Sequence, residues 1–411
     1  MINSKDEDDI DFYNHYESDY CRLLDSNYQK IHKGYMNIKF YQNDVTISLK
    51  DQYTFMRRMF KSVWVYYLFI IRILTFKNPI KEIRELLATR KVQMIKVYDK
   101  VVNYDSYFDF KSELISKSPL VSVILPTLNR YNYLKNALED LEKQDYKNFE
   151  VIVIDQSDDF NKLFYKQFEL RLSIIHQKEK GLWRARNRAI INSLGKYILF
   201  YEDDVRVQYD WITNHLKTLD FFKCDISVGV FYPEGRKIPV ENNHFRMATQ
   251  FSTGNAFVKK KIFKQVGLFD MQFEGMRMGD GEFGARCIKK GIFMVNNPHA
   301  SCIDIKAPKG GLRELGSWDG YRSKNLFGPK PIPSVLYFYR KYWGNSFAVY
   351  SLVRLIPITL VPYSFKKYKV GYISSILIFI FFIPIILFRV FRSWSISTQM
   401  LIFGEQINYL E

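Results

Sequence analysis

The sequence predicts an α/β fold in which a mostly parallel, Rossmann-like sheet is flanked by helices. From about residue 119, continuous apolar runs typical of buried strands, "LVSVILPTL" and "FEVIVIDQSDD", alternate with "RYNYLKNALEDLEKQ", whose apolar residues recur at helical spacing. Another apolar run, "LSIIHQ", and a basic helical segment, "GLWRARNRAIINSLG", continue the pattern. Such β-α-β units build parallel sheets, and their ligands bind beyond the carboxyl ends of the strands.

The next predicted strand, Tyr197–Tyr201, ends directly on three carboxylates, Glu202, Asp203 and Asp204. They fall on the same sheet edge as Asp155. One explanation is a solvated turn that caps the following helix. The other is that carboxylates at this edge converge on a hard divalent cation, which would hold a diphosphate. The position favours the second, with Asp204 as a magnesium or manganese ligand helped by Asp203 or Glu202.

Length and composition limit the classes of protein. A chain of 411 residues makes two domains, or one domain with large additions, and 47% hydrophobic content excludes disorder of the whole chain. The net charge of +17 suits nucleic acid, anionic lipid or a phosphorylated substrate. The four cysteines are widely spaced, form no CxxC pair and follow no secretory signal, which favours a reducing cytosolic compartment.

Three regions of the chain differ in charge and hydrophobic pattern. Residues 1–118 form an N-terminal extension with a cationic, apolar stretch near 55–77 that is interrupted by Arg72. This stretch is too short and too charged to span a bilayer, so it is either an interfacial helix or a buried helix packed on the next domain. Residues 119–331 carry the α/β domain, and residues 332–411 form a helical C-terminal region.

The C-terminal region contains the longest uncharged apolar run of the chain, residues 372–388, which is interrupted by Pro384. About 20 residues are needed to cross a bilayer, so the run is marginal. Cations on both sides indicate a membrane-associated element, peripheral or re-entrant, at the cytoplasmic face of the inner (plasma) membrane. The alternative is a buried helix pair that closes the back of the α/β domain.

Five segments occur in a characteristic order between residues 119 and 313. They are "VSVILPTLNRYNYLKNALEDLEKQDYKNFEVIVIDQSDD", "GLWRARNRAI", "GKYILFYEDDV", "STGNAFVKKKIFKQVGLFD" and "GDGEFGARCIKKG". In order and approximate spacing they resemble the inverting glycosyltransferases of family 2, which have the GT-A fold. The resemblance implies a nucleotide-sugar donor, Mn2+ or Mg2+ bound by the acidic strand end, and a single-displacement transfer that inverts the anomeric centre. The cationic, apolar C-terminal region suggests a glycan or lipid-linked saccharide as the acceptor.

The resemblance also implies a donor site along the sheet edge. Pro126, Thr127 and Asn129 end the first strand where a nucleotide would lie, although they also have the composition of a helix cap. Asp155 and Gln156 end the second strand. Relatives often carry a second Asp at the position of Gln156, where it meets the base, and Gln can donate as well as accept a hydrogen bond.

The basic helix is the second part of the implied donor site. Gly181 allows a tight entry to a helix whose N-terminus and arginines favour anions. Arg184 and Arg186 are candidates to approach the diphosphate or the base, and at least one of them is expected to be an ordinary solvated residue. Asp203 belongs to the same site. Trp183 stands where relatives commonly have a small residue, and it either stacks on the donor or belongs to the core.

Asp280, in "GDGEFGAR", stands where the family has its catalytic base. An inverting transfer needs one carboxylate to take the proton of the attacking acceptor hydroxyl. Many relatives have an acid just before this Asp, and here it is Gly279. The same segment matches GxGxxG, but no apolar strand precedes it and its acids would repel a pyrophosphate, so a dinucleotide site is not expected. Glu282 and Arg286 are expected to be structural or to face the acceptor.

Two residues are candidates for a further ligand of the metal ion. In some relatives a His precedes a loop that closes over the donor, and Asp304 occupies its place here. An Asp is an equally good oxygen ligand for magnesium or manganese. The alternative is that His299 is the ligand and Asp304 is incidental.

Two other classes of function fit part of the sequence. A transferase of the same fold with a different nucleotide-activated donor fits the same motifs, whereas a processive synthase lacks a QxxRW-type motif and a set of long spanning helices. A nucleic-acid binder is motivated by the net charge, but the basic residues concentrate beside apolar runs and no nucleic-acid module is visible. No nucleic-acid partner is therefore expected.

Overall fold

The computed structural model describes residues 10–36, 38, 45–305, 307, 327–360 and 369–410, with side chains omitted for 353–360 and 369–382. The chain divides into two compact units, Met1–Ser106 with Pro239–Met247, and Tyr107–Ile238 with Ala248–Glu411. The domain boundaries at residues 118 and 331, which rest on changes in sequence composition, stay predictions.

The first unit is helical. It contains α1 (Asp19–Lys33), α2 (Leu49–Met59), α3 (Ser62–Leu74), α4 (Pro79–Ala88) and a two-residue strand, β7 (Arg246–Met247). Side-chain caps fix the helix starts, because Ser18, Ser48 and Asn78 each accept a hydrogen bond from a backbone N–H of the first turn. In the interior, Arg58 Nε donates to Asp25 Oδ2 over 2.5 Å, which joins α2 to α1.

The second unit is an α/β domain. Its strands are β1 (Val121–Thr127), β2 (Phe149–Asp155), β3 (Leu172–His176), β4 (Tyr197–Tyr201), β5 (Val205–Val207), β6 (Ile226–Pro233), β8 (Asn255–Lys259) and β9 (Met294–Asp304). Its helices are α5 (Ser106–Asp109, which begins at the unit boundary), α6 (Glu113–Ser116), α7 (Tyr131–Glu142), α8 (Leu182–Asn192), α9 (Trp211–Phe222), α10 (Ile262–Val266), α11 (Gly279–Lys289), α12 (Pro333–Leu360) and α13 (Lys369–Phe403).

The strands of this unit form a sheet in the order β3-β2-β1-β4-β8-β6-β9-β5. The predicted α/β class is confirmed, and β1 to β4 are parallel as expected. Beyond β4 the sheet is mixed, because β8 runs antiparallel to both β4 and β6 and β5 runs antiparallel to β9. The sequence analysis assigned no strand to the β8 segment, so the antiparallel insertion was not expected.

Burial explains the apolar runs of the parallel strands. Every residue of β1 and β2 is buried, since both faces of this half of the sheet are covered. One large core cluster then joins β4, β8, α8 and α11 and includes Trp183, Phe200, Phe269 and Phe283. The carboxyl ends of β1, β2 and β4 are thereby held rigidly at one edge.

The C-terminal helices pack on this domain and on each other. Arg340 of α12 donates to Ser397 and Thr398 of α13 over 2.7 and 2.8 Å, and Met400 enters the large core cluster. α13 is one helix that continues through Pro384. Within the ranges that the structure describes, no helix combines the length and hydropathy of a membrane span.

Candidate active site

The edge of the sheet holds a buried cluster of opposite charges, which we call the strand-end cluster: Thr127, Arg130, Asp203 and Asp204. The Thr127 hydroxyl donates to Asp203 Oδ2 over 2.7 Å. Arg130 Nη1 lies 3.0 Å from Asp203 Oδ1 and 3.2 Å from Asp204 Oδ2. Sequence analysis missed Arg130, because nothing in "LNRYN" shows that this arginine reaches acids far along the chain.

Burial dominates the electrostatics of this cluster. It raises the pKa of Asp203 to about 6, although Arg130 and the Thr127 hydroxyl both favour the ionised carboxylate. Burial alone would lower the pKa of Arg130, but Asp203 and Asp204 together raise it above its usual value. The guanidinium therefore stays charged and holds two carboxylates side by side.

The structure brings Asp304 next to Asp204, because Val205 pairs with Asp304 where β5 meets β9. Ile305 N donates to the Asp204 carbonyl over 3.1 Å, and Ala307 N donates to Asp204 Oδ2 over 3.3 Å. Among the described residues, no group of three or more His, Cys, Asp or Glu side chains is arranged to hold a metal ion. Carboxylates at the ends of paired strands still fit Mg2+ or Mn2+, since such sites commonly combine one or two carboxylates with substrate phosphates.

His299, the alternative ligand, lies in different surroundings. It precedes Asp304 on β9, and its ring stacks on Tyr107 at 5.4 Å and meets Phe108 edge-on at 5.3 Å. Burial lowers its pKa. The contacts of His299 are those of an aromatic cluster, and they leave Asp304 as the neighbour of Asp204.

Asp155 is enclosed by protein donors. Its Oδ2 accepts hydrogen bonds from the hydroxyls of Tyr131 and Tyr165 over 2.6 and 2.8 Å, and its Oδ1 accepts one from Ser157 N over 2.9 Å. Burial, reinforced by this carboxylate, raises the pKa of Tyr131 to about 12. These contacts are structural, so the role of Asp155 toward a nucleotide stays a prediction.

Gln156 and Asn129 also organise the edge. Gln156 Oε1 accepts from Gly181 N over 2.6 Å, which ties the end of β2 to the start of α8. Asn129 is exposed, with a φ of 55°, and exchanges hydrogen bonds with Asp158 over 2.9 and 3.0 Å. Pro126 is buried inside β1 beside Ile154. Of these three, Asn129 presents a side chain at the surface.

The N-terminus of α8 is already occupied by a protein carboxylate. Glu274 accepts from Leu182 N over 2.7 Å and from Arg184 N over 2.8 Å. A Cβ at Gly181 would come within 2.8 Å of the Glu274 carboxyl carbon, so the glycine makes this approach possible. Glu274 is therefore an anion already bound at this helix end, and an approach of the donor to it stays a prediction. The side chain of Arg184 pairs with Glu179, which is largely exposed.

Arg186 is fully buried beside the acidic strand end. Its Nη2 donates to Glu202 Oε1 over 3.0 Å, and its guanidinium lies over the Trp183 ring at 5.1 Å from the centroid. Its Nε and Nη1 have no hydrogen-bond partner, and the aromatic face compensates for part of that loss. Burial lowers its pKa, while Glu202 and Asp280 oppose the shift.

Asp280 lies in the first turn of α11, half-buried and near Arg186. Burial raises its pKa, whereas the Gly281 N–H and the charges of Arg186 and Arg277 act in the opposite direction. The preceding Met278 has a φ of 76°, a left-handed conformation that non-glycine residues adopt at a cost. A carboxyl group with a raised pKa at a partly open site has the properties of a general base.

Trp183 packs directly against the backbone of Gly279. A Cβ at position 279 would lie 2.4 Å from two atoms of the Trp183 ring, so only glycine fits against this indole. Trp183 is buried in the core cluster, which confirms the core alternative for it. The large residue at 183 and the small residue at 279, each unusual for the resembled family, thus form one packing contact.

The rest of α11 is structural. Glu282 is buried and binds Arg286 over 2.9 Å and Lys341 of α12 over 2.8 Å. A single-turn 3-10 helix, Met271–Phe273, precedes α11 in place of a strand. The strand that a dinucleotide-binding GxGxxG segment would follow is thus replaced by this 3-10 helix.

Comparisons with known proteins agree with the geometry. Residues 122–280 match the family model described as glycosyl transferase family 2. Glycosyltransferase GlyA of Streptococcus pneumoniae is 28% identical over 162 residues, which are 38% of this chain and 22% of GlyA. Glycosyltransferase AglE of Haloferax volcanii is 27% identical over 169 residues, which are 39% of this chain and 55% of AglE. The chain thus matches less than two thirds of the length of these relatives.

Solved structures show a weaker likeness. The mannosyltransferase PcManGT from Pyrobaculum calidifontis, in complex with GDP-Man and Mn2+, superposes with a TM-score of 0.46 at 16% identity, covering 72% of this chain and 90% of that one.

The sheet and its acidic carboxyl edge define an α/β domain of the predicted class. The match to the glycosyl transferase family 2 model begins within β1 and ends on Asp280, so it spans the strand ends and the candidate base.

Proposed function

We propose that this protein is an inverting glycosyltransferase that moves a sugar from a nucleotide-sugar donor to a glycan or lipid-linked saccharide. The observation that carries the proposal is the position of Asp280, a half-buried carboxyl with a raised pKa at the start of α11, beside the Arg186–Glu202 pair. Asp280 takes the proton of the acceptor hydroxyl while that oxygen attacks the anomeric carbon and the nucleoside diphosphate departs.

The chain's other residues would hold the donor. Asp204 and Asp304 would hold Mn2+ or Mg2+, which when bound neutralises charge on the leaving diphosphate. Arg130 keeps the Asp204 carboxylate oriented through its shared contact with Asp203. Asn129, exposed beside this cluster, is placed to meet the nucleoside.

A thermal-shift panel tests the donor. UDP, GDP, dTDP and CMP, with their common sugar conjugates, are added with and without Mn2+. Ligand binding to the native state raises the melting temperature, so one nucleotide that stabilises only with metal names the donor class. A shift by a different activated donor would keep the fold and revise the substrate. No shift with any donor, in the presence of acceptor and vesicles, would contradict the proposal.

The base is tested with Asp280→Asn. We expect transfer to fall by about 10²–10⁴-fold, because the general base is lost, while the donor-induced thermal shift remains. Asp109→Asn, an exposed carboxylate on α5, is the control and should leave both unchanged. Turnover retained by Asp280→Asn would exclude Asp280 as the base.

We also propose attachment to the cytoplasmic face of the plasma membrane, peripheral or re-entrant. The support is on α13, where Ile383, Leu387 and Phe391 follow one another at helical spacing and are all exposed, with Arg392 beside them. Membrane fractions washed with high salt and then at alkaline pH test this. Recovery of the full chain in the unwashed soluble fraction would contradict it.

A further inference from the structure

The first unit carries an exposed apolar surface that neither the fold nor the proposed chemistry uses. Val63, Tyr66, Ile70 and Leu74 of α3 follow one another at helical spacing, and all four side chains are exposed. Ile80, Ile83 and Leu87 of α4 form a second stripe of the same kind. We call these two stripes and the turn between them the α3–α4 surface.

The turn between the two helices carries the most exposed apolar side chain. Phe76 is 97% exposed and has a φ of 59°, and Ile80 just after it is 77% exposed. A soluble surface rarely keeps a contiguous apolar patch of this kind without a partner. Other side chains pack these helices, since Val65 and Ile71 of α3 are buried and Glu82 of α4 accepts from Arg72 of α3.

The negative charges of this segment are buried and the positive charges are exposed. Between residues 61 and 91 the acids are Glu82 and Glu85, and both are buried. Glu82 accepts from Arg72 Nε over 2.8 Å and from the Tyr53 hydroxyl over 2.8 Å. Its negative charge is therefore balanced inside the unit by Arg72. The exposed charges of the segment are all positive, and they are carried by Lys61, Lys77, Lys81, Arg84, Arg90 and Lys91.

An anionic bilayer is the partner that matches this combination. Acidic lipid headgroups attract the exposed cations, and apolar side chains enter the acyl boundary. Trp64 and Tyr66, half-exposed and exposed, are residue types enriched at membrane interfaces. α3 has 13 residues, about 20 Å of helix, which is too short to span the hydrocarbon core and suits lying in its surface.

We propose that the α3–α4 surface docks on the anionic leaflet of a membrane, with the Phe76 turn inserted. This inference rests on the proposed membrane attachment but not on the proposed transfer chemistry. The inference gives the N-terminal extension a role in membrane binding. For the stretch near 55–77 it favours an interfacial helix, because Arg72 pairs with the buried Glu82 and the outer face of α3 is left apolar.

Site-specific labelling tests the insertion directly. All four native cysteines are buried, so a cysteine introduced at the surface can be labelled selectively with an environment-sensitive fluorophore. Phe76→Cys and Ile80→Cys should show a blue shift with vesicles of phosphatidylcholine and phosphatidylglycerol. Phe12→Cys, which replaces another exposed phenylalanine of the same unit, should not. No shift at Phe76 while the chain sediments with the vesicles would overturn the inference and leave attachment to α13.

Binding measurements separate the alternatives. The double variant Phe76→Ser, Ile80→Ser should weaken vesicle binding by at least about tenfold, because each side chain loses its apolar burial. The double variant Lys77→Glu, Lys81→Glu should weaken vesicle binding by about fivefold per lysine. Lys96→Glu, outside the α3–α4 surface, is the control and should leave vesicle binding unchanged. If the serine variant changes self-association and not vesicle binding, the partner is a second copy and the bilayer inference is wrong. Failure of the unaltered chain to bind vesicles would overturn it together with the membrane proposal.

Discussion

The carboxyl ends of β2 and β4 lie at the same edge of the sheet, and both end on acids that the sequence assigned to a donor site. Their partners differ. Asp155 after β2 accepts hydrogen bonds from two tyrosine hydroxyls and a backbone N–H. Asp203 and Asp204 after β4 share one arginine, Arg130. Asp155 has neutral donors alone. Asp203 and Asp204 also accept from the Thr127 hydroxyl and the Ala307 N–H, but they share one guanidinium, so the pair keeps a net negative charge that favours another cation.

Arg130→Gln should have the largest effect on stability. Removing the guanidinium leaves two buried carboxylates without a compensating charge, and we expect the free energy of unfolding to fall by about 3–5 kcal/mol. A divalent cation should restore part of the loss, about 2.7 kcal/mol when present at 100 times its dissociation constant. Thermal melts with Mn2+ and with a chelator measure both effects.

Arg206→Gln is the matched control for the metal effect. Arg206 pairs with Asp140 through two hydrogen bonds of 2.6 Å, so its loss also breaks an arginine–carboxylate pair. Its partner is one carboxylate, so Mn2+ should not rescue the variant. Equal responses of the two variants to Mn2+ would show that the strand-end cluster is no cation site.

Asp155→Ala should cost about 3 kcal/mol, because it leaves the Tyr131 and Tyr165 hydroxyls and one backbone N–H unsatisfied in a buried position. Tyr131→Phe removes one of these bonds and should cost about 1 kcal/mol. Urea unfolding measures the losses. Donor affinity is then measured under conditions in which the variant is folded. Unchanged affinity would mean that Asp155 has a structural role, and a large loss would mean that it binds the donor.

The sequence predicted the elements of this edge but not its long-range partners. Continuous apolar runs identified β1, β2 and β4, and because parallel strands share an edge, their terminal acids could be brought together without a structure. Arg130 and Glu274 were missed, since each acts on residues distant in the chain and has no periodicity of its own. The antiparallel β8 was missed for a similar reason, because its pairing depends on β4 and β6 and not on its own composition.

Gly279→Ala tests the contact between α8 and α11. The added methyl would meet the Trp183 ring at 2.4 Å, so overpacking should cost about 1–3 kcal/mol despite the better helix propensity of alanine. With Trp183→Leu in the background, the same substitution should cost less, by about 1 kcal/mol in a double-mutant cycle. Additive losses would show that the helices shift apart and that the indole does not require the glycine.

Arg184→Ala should have the smallest effect, and it decides between Arg184 and Arg186, the two arginines of α8 that are candidates for the donor site. Its ion pair with Glu179 is solvent-exposed, so the free energy of unfolding should change by less than about 0.5 kcal/mol. Donor affinity should stay within about twofold, as for the exposed neighbour Arg188→Ala.

A tenfold loss of donor affinity in Arg184→Ala alone would reverse this assignment. It would mean that Arg184 leaves Glu179 for the diphosphate when the donor binds, as the sequence allowed. Unchanged affinity would leave Arg186, buried between Trp183 and Glu202, as the arginine of α8 that acts on the site. It would act there by holding the acidic strand end next to Asp280, because its remaining N–H groups are enclosed by protein.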